Sequence, residues 1–164
     1  MQLVKESLSS SSRGARALDD EDEYTGPSAR CVLFTLENEI YGIQVKKIRE
    51  VLRVGTIRKV EGSDYNILGV INVRGVIVTV IDTRVMYGMP PKEINDLSRI
   101  IIVELDDEKT VGMLVDFVME VKDIPENKFE ALSASKDNAS SYIQGIAHFE
   151  DNVIILIEVD NMFS

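Results

Sequence analysis

The feature that most constrains the fold of this chain is an internal duplication. The segment YGIQVKKIREV at residues 41–51 aligns with VGMLVDFVMEV at residues 111–121, and glycine, valine and glutamate recur at matching positions. The segment GVINVRGVIVTVIDTRVMY at residues 69–87 aligns without gaps with GIAHFEDNVIILIEVDNMF at residues 145–163. Two matches in the same order along one chain predict two related structural units.

Both units have the pattern of short β-strands joined by polar turns. Residues 31–45 predict a strand, a turn at residues 37–39 and a second strand, because apolar and polar residues alternate. Two apolar runs around Arg74 and Gly75 predict a hairpin. Residues 45–54 fit a short helix or a kinked strand, and periodicity does not decide between them.

The size of the units predicts their architecture. Each has about 55–65 residues, and an open sheet of that size buries too little apolar surface, so we expect two small closed β-barrels packed together. The first unit covers about residues 31–91 and the second about 99–164, with a polar linker at residues 92–98. The sequence therefore predicts an all-β fold with short helices.

Residues 1–30 differ from the rest, because they lack apolar periodicity. They hold four consecutive serines at residues 9–12 and an acidic run at residues 19–23. The simpler interpretation is a disordered, solvated N-terminal tail, and the alternative is an acidic tail that binds a partner.

Composition narrows the functional classes. The chain carries 18 basic and 28 acidic residues, a net charge of −10, which disfavours binding to nucleic acid or to anionic lipid. One cysteine excludes an intrachain disulfide, and no spacing suits a metal site or a phosphate-binding loop. No apolar run reaches the roughly 18 residues of a membrane span, and the N-terminus lacks a secretory core. We therefore expect a cytoplasmic, non-enzymatic interaction module.

Three residues are candidates for catalysis. Cys31 and His148 could form a nucleophile and base, but no spacing or oxyanion motif supports this, and a buried cysteine is the simpler expectation. Asp82 follows an apolar strand, as a receiver-domain phosphoacceptor does, but the alternating helices of that fold are absent. We expect Asp82 to be a cap or an ion-pair partner near Arg84.

The two predicted hairpins differ in their turns. The first reads NVRG at residues 72–75, and the second reads HFED at residues 148–151. Either turn satisfies a hairpin, so the contrast between Arg-Gly and Glu-Asp suggests that one copy has a separate role.

Three segments, taken in their order and spacing, resemble the CheW family of bacterial chemotaxis coupling proteins. They are FTLENEIYGIQVKKIREV, GVINVRGVIVTVIDTR and VGMLVDFV. The resemblance runs from about Val32 to Phe163. It implies two intertwined five-stranded, SH3-like β-barrels, between which strands can be exchanged. It also implies a protein without enzymatic activity, cofactor or metal.

The partners implied by the resemblance are the tips of methyl-accepting chemotaxis receptors and the regulatory domain of the histidine kinase CheA. The protein would bridge them in arrays at the inner face of the membrane without inserting into it, and it would bind no nucleic acid. The alternative is a CheW-like adaptor of a non-motility chemosensory system, such as one for twitching or development.

Six positions carry the family's interaction residues by resemblance. Val45 falls at a position associated with the kinase regulatory domain. The other five positions are associated with receptor or kinase contacts, and they are Ile48, Glu50, Gly69, Arg74 and Val121. For Glu50 and Arg74, a salt bridge between neighbouring loops is an equally good expectation.

The chain departs from the family pattern at several positions. Thr79 stands where a proline is usual, and Thr83 replaces the leucine of the DLR motif. Residues 57–61 also lack the proline of the common motif at that place. These departures concern loop rigidity and partner identity.

Overall fold

A computed structural model describes residues 26–131 and 142–163, and the acidic run at residues 19–23 lies outside them. Strands dominate these residues, with two four-residue α-helices and two 3-10 turns, Val45–Lys47 and Glu126–Lys128. The prediction of a mainly β chain with short helices is confirmed. The elements are β1 Ser28–Leu36, β2 Glu39–Gln44, β3 Ile48–Arg53, β4 Ile67–Val73, β5 Val76–Asp82, α1 Thr83–Met86, β6 Arg99–Glu104, β7 Thr110–Val115, β8 Phe117–Pro125, β9 Phe129–Ala131, β10 Ile143–Phe149, β11 Asn152–Ile157 and α2 Val159–Met162.

Within the described ranges the strands form two sheets, and each sheet mixes strands from both repeats. The six-stranded sheet has the order β8-β1-β2-β11-β10-β9, and the five-stranded sheet has the order β3-β6-β7-β5-β4. The hairpin β1–β2 therefore lies beside four strands of the second repeat, while β6–β7 lies beside three strands of the first. Two parallel pairs, β2 with β11 and β5 with β7, join the repeats within a sheet.

The segment that periodicity left undecided contains both a helical turn and a strand. The 3-10 turn Val45–Lys47 ends β2, and the chain then enters β3 in the other sheet. At the equivalent place in the second repeat, Asp116 alone separates β7 from β8. These two junctions are where the chain changes sheets.

The duplication is visible in the irregularities of the ladders. Arg49 is an extra residue in the β3–β6 ladder, and Met119 is the extra residue at the equivalent place in β8–β1. Leu68 and Gln144 are extra residues in the β4–β5 and β10–β11 ladders. Because a bulge of this kind is a specific local feature, its recurrence at repeat-equivalent positions shows that the two units share one backbone design.

Three apolar clusters hold the described residues together. One cluster lies inside the six-stranded sheet and includes Leu33, Ile124 and Leu156, and a second lies inside the five-stranded sheet. Each sheet must curl to bring its outer strands onto a common cluster. The third and largest cluster packs Phe34 and Tyr41 of one sheet against residues such as Met113 of the other. Because successive side chains of a strand point to opposite faces, one side chain joins the cluster inside its own sheet and the next joins the cluster between the two sheets.

Candidate functional site

The hairpin β4–β5 places Arg74 in the tight two-residue turn at its tip. Arg74 and Gly75 both have positive φ, 50° and 89°, as a type I′ turn requires. The side-chain oxygen of Asn72 accepts a hydrogen bond from the Gly75 N–H at 2.7 Å, which closes the turn. The Arg74 side chain is 73% exposed as a result.

Glu50 on β3 meets Arg74 across 24 residues of sequence. Arg74 Nη2 donates to Glu50 Oε2, and Nη1 donates to Oε1 at 3.3 Å, so the contact is bidentate. The Glu50 side chain is only 27% exposed, and its hydrogen bond is the main cause of a raised pKa at Arg74. The structure therefore brings two of the six expected site residues together as an ion pair, as one of the two interpretations predicted. Fixed bidentate geometry also orients the exposed guanidinium.

The second repeat has the same turn backbone with different charges. Glu150 and Asp151 stand where Arg74 and Gly75 stand, and both also have positive φ. Glu120 occupies the position of Glu50, so two acidic side chains replace an ion pair. Lys122 lies between them, at 3.0 Å from Glu150 and 3.9 Å from Glu120. The difference in turn sequence is thus a difference in surface charge on a common backbone.

Exposed apolar side chains border the Glu50–Arg74 pair, and sequence reasoning did not single them out. Val76 and Ile77 directly follow the turn, and both are well exposed. Val76 also lines a cavity of about 320 Å³ together with Glu50 and Arg74. Their signal in the sequence is the apolar run after the Arg-Gly turn, which predicted a strand of the hairpin but not which of its side chains are exposed.

The other expected residues lie in different surroundings. Ile48 is half-buried and packs on the cluster between the sheets, and Val45 begins the 3-10 turn that precedes it. Val121 lies on the edge strand β8, opposite Val32 of β1, and is 54% exposed. The structure therefore distributes the expected residues over both sheets instead of gathering them in one place.

Gly69 has a structural reason to be glycine. Its φ is +151°, and a Cβ atom there would lie 2.2 Å from the carbonyl oxygen of Arg58. Arg58 and Val70 exchange two backbone hydrogen bonds of 2.8 Å at this point. The repeat-equivalent Gly145 approaches the carbonyl of Glu130 in the same way, at 2.6 Å. Close backbone approach therefore excludes a side chain at Gly69, whether or not this position also contacts a partner.

An almost buried guanidinium braces the region beside β8. Arg84 on α1 is 6% exposed and contacts Asp116 at 2.6 Å as well as Glu37. It also donates to the Pro90 carbonyl at 2.9 Å, and the Glu37 N–H donates to Asp116 at 2.9 Å. The β1–β2 turn, α1 and the β7–β8 junction are thereby tied to one another.

A second brace has the same plan with its charges exchanged, and it joins Lys47 of the first repeat to the second repeat. Here the helix residue is the acid, Asp160, and the junction residue is the cation, Lys47. Lys47 contacts Asp160 and Asp106 at 2.5 Å each, and the Asp106 N–H donates to Asp160 at 2.7 Å. The hydrogen bond from Lys47 is the main cause of a lowered pKa at Asp160.

The surroundings of the three candidates for catalysis give each of them a structural explanation. Cys31 is fully buried, and burial raises the pKa of its thiol to about 11, which disfavours the reactive thiolate. His148 is 58% exposed and lies 3.4 Å from Glu130. Asp82 caps α1, because its side chain accepts from the Arg84 N–H at 3.1 Å, and burial raises its pKa. The expectation of a cap at Asp82 is confirmed.

The part of the chain that the structure describes lacks a grouped set of metal ligands and a membrane-spanning helix. No three histidine, cysteine, aspartate or glutamate side chains there are grouped to hold a metal ion. No helix within residues 26–131 and 142–163 has the length and apolarity to cross a membrane.

Comparison with known proteins assigns the fold to a family. The family described as the CheW-like domain matches residues 30–164. The chain belongs to this family. The crystal structure of the scaffolding protein TtCheW from Thermoanaerobacter tengcongensis superposes on this CheW-like chain with a TM-score of 0.78 and 34% identity, covering 84% of this chain and 93% of the other.

Relatives of the chain in two bacteria are chemotaxis proteins named CheW. The chemotaxis protein CheW of Bacillus subtilis is 31% identical over 133 residues, which cover 80% of this chain and 84% of the relative. The chemotaxis protein CheW of Klebsiella aerogenes is 28% identical over 134 residues, covering 81% and 80%. The resemblance noted in the sequence is confirmed, and the chain is a member of a family of chemotaxis scaffold and adaptor proteins.

Proposed function

We propose that this chain couples methyl-accepting chemoreceptors to the histidine kinase CheA and catalyses no reaction itself. The observation that carries the proposal is the exposed Glu50–Arg74 pair, held in one orientation at a hairpin tip beside Val76 and Ile77. A guanidinium fixed next to exposed apolar area is a typical anchor for a protein partner. Membership of a chemotaxis scaffold family supports the same conclusion.

An adaptor needs separate surfaces for separate partners, and the expected residues provide them. Arg74 lies on the five-stranded sheet, while Val121 lies on the edge strand of the six-stranded sheet. We assign these two surfaces to receptor and kinase contacts, together with Ile48 at the start of β3 and with Val45, in the turn before β3, as a contact of the kinase regulatory domain. In this proposal the protein acts in the cytoplasm, needs no cofactor and reaches the inner face of the membrane only through receptor arrays.

The direct experiment is a calorimetric titration of the protein into the CheA regulatory domain and into a receptor signalling fragment of the same organism. Saturable one-to-one binding to each is the expected result. Absence of binding to both, with the protein folded, would refute the coupling role.

A charge reversal then separates a contact role of Arg74 from a purely structural one. Arg74→Glu should leave the fold intact, because the same turn in the second repeat holds Glu150, but it should weaken partner binding. The matched control is the double variant Glu50→Arg with Arg74→Glu, which restores an ion pair of reversed direction. If Arg74 contacts a partner, the double variant stays defective; full recovery would show that only the ion pair matters.

A further inference from the structure

The two repeats differ at one cross-strand pair in a way that the adaptor proposal does not explain. In the six-stranded sheet Arg30 of β1 lies opposite Asp123 of β8, and the two form a salt bridge of 2.9 Å. At the equivalent place in the five-stranded sheet, Arg53 of β3 lies directly opposite Arg99 of β6. Like charges in this arrangement are destabilising. One repeat thus lacks the carboxylate that the other repeat supplies.

The surroundings of Arg53 do not provide that carboxylate. Arg53 forms no salt bridge within residues 26–131 and 142–163, and Glu50, the acidic residue nearest to it in β3, is bound by Arg74. Residues 53–59 contain three basic residues and no acidic residue, in a chain whose net charge is −10. The end of β3 and the loop after it are therefore locally cationic.

A cleft opens between β3 and β4 beside this charge. Its volume is about 310 Å³, Arg53 and Arg74 line it, and Leu52, Ile71 and Ile100 supply apolar surface. Because neighbouring residues of a strand point to opposite faces, Leu52 and Arg53 present an apolar and a cationic group on opposite sides of β3. A second strand laid along this cleft would need the same alternation, with apolar side chains on one face and acidic ones on the other.

The backbone of β4 is open to such a strand. The N–H and C=O of Val70 point away from β5 and form hydrogen bonds with Arg58. Because Asn72 lies two residues further along β4, its N–H and C=O point to the same side. In the other sheet, β9 continues along the equivalent edge and pairs with three residues of β10. In the five-stranded sheet the pairing is a single bridge, between Arg58 and Val70. Asn72 therefore faces the cleft with backbone groups that pair with no strand in the described part of the chain.

We propose that the β3–β4 cleft binds an extended segment of a protein partner in which acidic and apolar residues alternate. The segment pairs with Asn72 on β4, places apolar side chains over Leu52 and Ile71, and brings a carboxylate to Arg53 as Asp123 does for Arg30 in the six-stranded sheet. This is strand addition with a charged specificity contact. It rests on the adaptor proposal for the kind of ligand, a protein, and it adds the chemistry of the segment.

A synthetic peptide tests this inference independently of CheA and the receptors. The full-length ¹⁵N-labelled protein is titrated with acetylated, amidated Val-Glu-Val-Glu-Val and, in parallel, with the uncharged analogue Val-Gln-Val-Gln-Val. The acidic peptide should cause saturable amide shifts centred on Thr56 and Asn72. The analogue should bind about tenfold more weakly, as expected for loss of a charge-assisted contact.

Arg53→Asp is the informative variant. It places an aspartate opposite Arg99, just as Asp123 lies opposite Arg30 in the six-stranded sheet. It should melt at the wild-type temperature or above, and it should no longer bind the acidic peptide. Lys92→Asp, in the linker between the units, makes the same change of net charge and should bind as the wild type does.

Four results would overturn the inference. They are equal binding of the two peptides, unchanged binding by Arg53→Asp, shifts centred on the six-stranded sheet, and no saturable shift at millimolar peptide. None of these results bears on whether the protein binds CheA or receptors, so the adaptor proposal is tested separately by its own titrations.

Discussion

Replacing Gly69 by alanine is the sharpest test of how the five-stranded sheet is built. The Gly69 backbone has a φ of +151°, where side chains are strained, and the added Cβ would lie 2.2 Å from the Arg58 carbonyl oxygen. That oxygen belongs to backbone that also bonds to Val70, so it cannot move without loss. Gly69→Ala must therefore shift one strand away from the other.

The cost of this shift can be worked from two contributions. A side chain held in that backbone region costs on the order of 1–3 kcal/mol. Separation of Arg58 from Val70 breaks two backbone hydrogen bonds, each worth about 1 kcal/mol. The sum is about 3–5 kcal/mol, which corresponds to a fall in melting temperature of about 10 °C for a chain of this size.

Thermal and urea unfolding followed by circular dichroism measure the effect. The matched control is Gly62→Ala, because Gly62 also has a positive φ, 80°, but a Cβ there would meet nothing within 4 Å. That control should cost about 1–2 kcal/mol, the conformational penalty alone. Gly145→Ala, with a carbonyl at 2.6 Å, should resemble Gly69→Ala.

Equal losses for Gly69→Ala and Gly62→Ala would refute the argument from close approach. A wild-type melting curve with lost partner binding would refute it more strongly, since Gly69 would then be a contact residue. The structure instead predicts that any loss of coupling in Gly69→Ala accompanies a loss of stability.

Three further changes test other parts of the structure. Thr83→Val should raise the melting temperature, because the buried Thr83 hydroxyl has no hydrogen-bond partner among the described residues, and burying an unpaired hydroxyl costs about 1–3 kcal/mol; a lower melting temperature would contradict this. Arg84→Met should lower the free energy of unfolding, measured in urea, by about 3 kcal/mol, because it leaves the nearly buried carboxylate of Asp116 without its cation. A loss below about 1 kcal/mol, the contribution of a surface ion pair, would count against a buried brace. The pKa of Asp160 is lowered by Lys47, so the stability from this pair is present above a pH of about 4 and is lost as the pH falls through the folded-state pKa. The stability difference between wild type and Lys47→Met should shrink on acidification, and a difference that stays constant would refute this origin.

Much of the secondary structure was predictable, because it depends on local pattern. Alternating side chains predicted the strands, and the Arg-Gly dipeptide predicted the hairpin at residues 74–75. The undecided segment at residues 45–54 contains both suggested elements, since a 3-10 turn there ends one strand and begins another. Bulges such as that at Arg49 were not predictable, because they depend on the partner strand.

The candidate site was predictable only in part. Glu50 and Arg74 were singled out by resemblance, but their bidentate contact depends on β3 and β4 lying in the same sheet. The β3–β4 cleft and the Arg53–Arg99 pair were missed, because pairing of β3 with β6 joins residues 46 positions apart. Local sequence predicts that a strand exists, whereas its neighbours are decided by which surfaces bury one another.

The mixing of both repeats in each sheet has a consequence for synthesis on the ribosome. All strands of the five-stranded sheet have been made once Val115 has left the ribosome, but the hairpin β1–β2, made first, lacks its parallel neighbour β11 until Ile157. For that interval the open edge of β2 is a site where another chain could pair. Slowing translation between β8 and β10 would lengthen this exposure, so the yield of native protein should depend on the codons of that stretch.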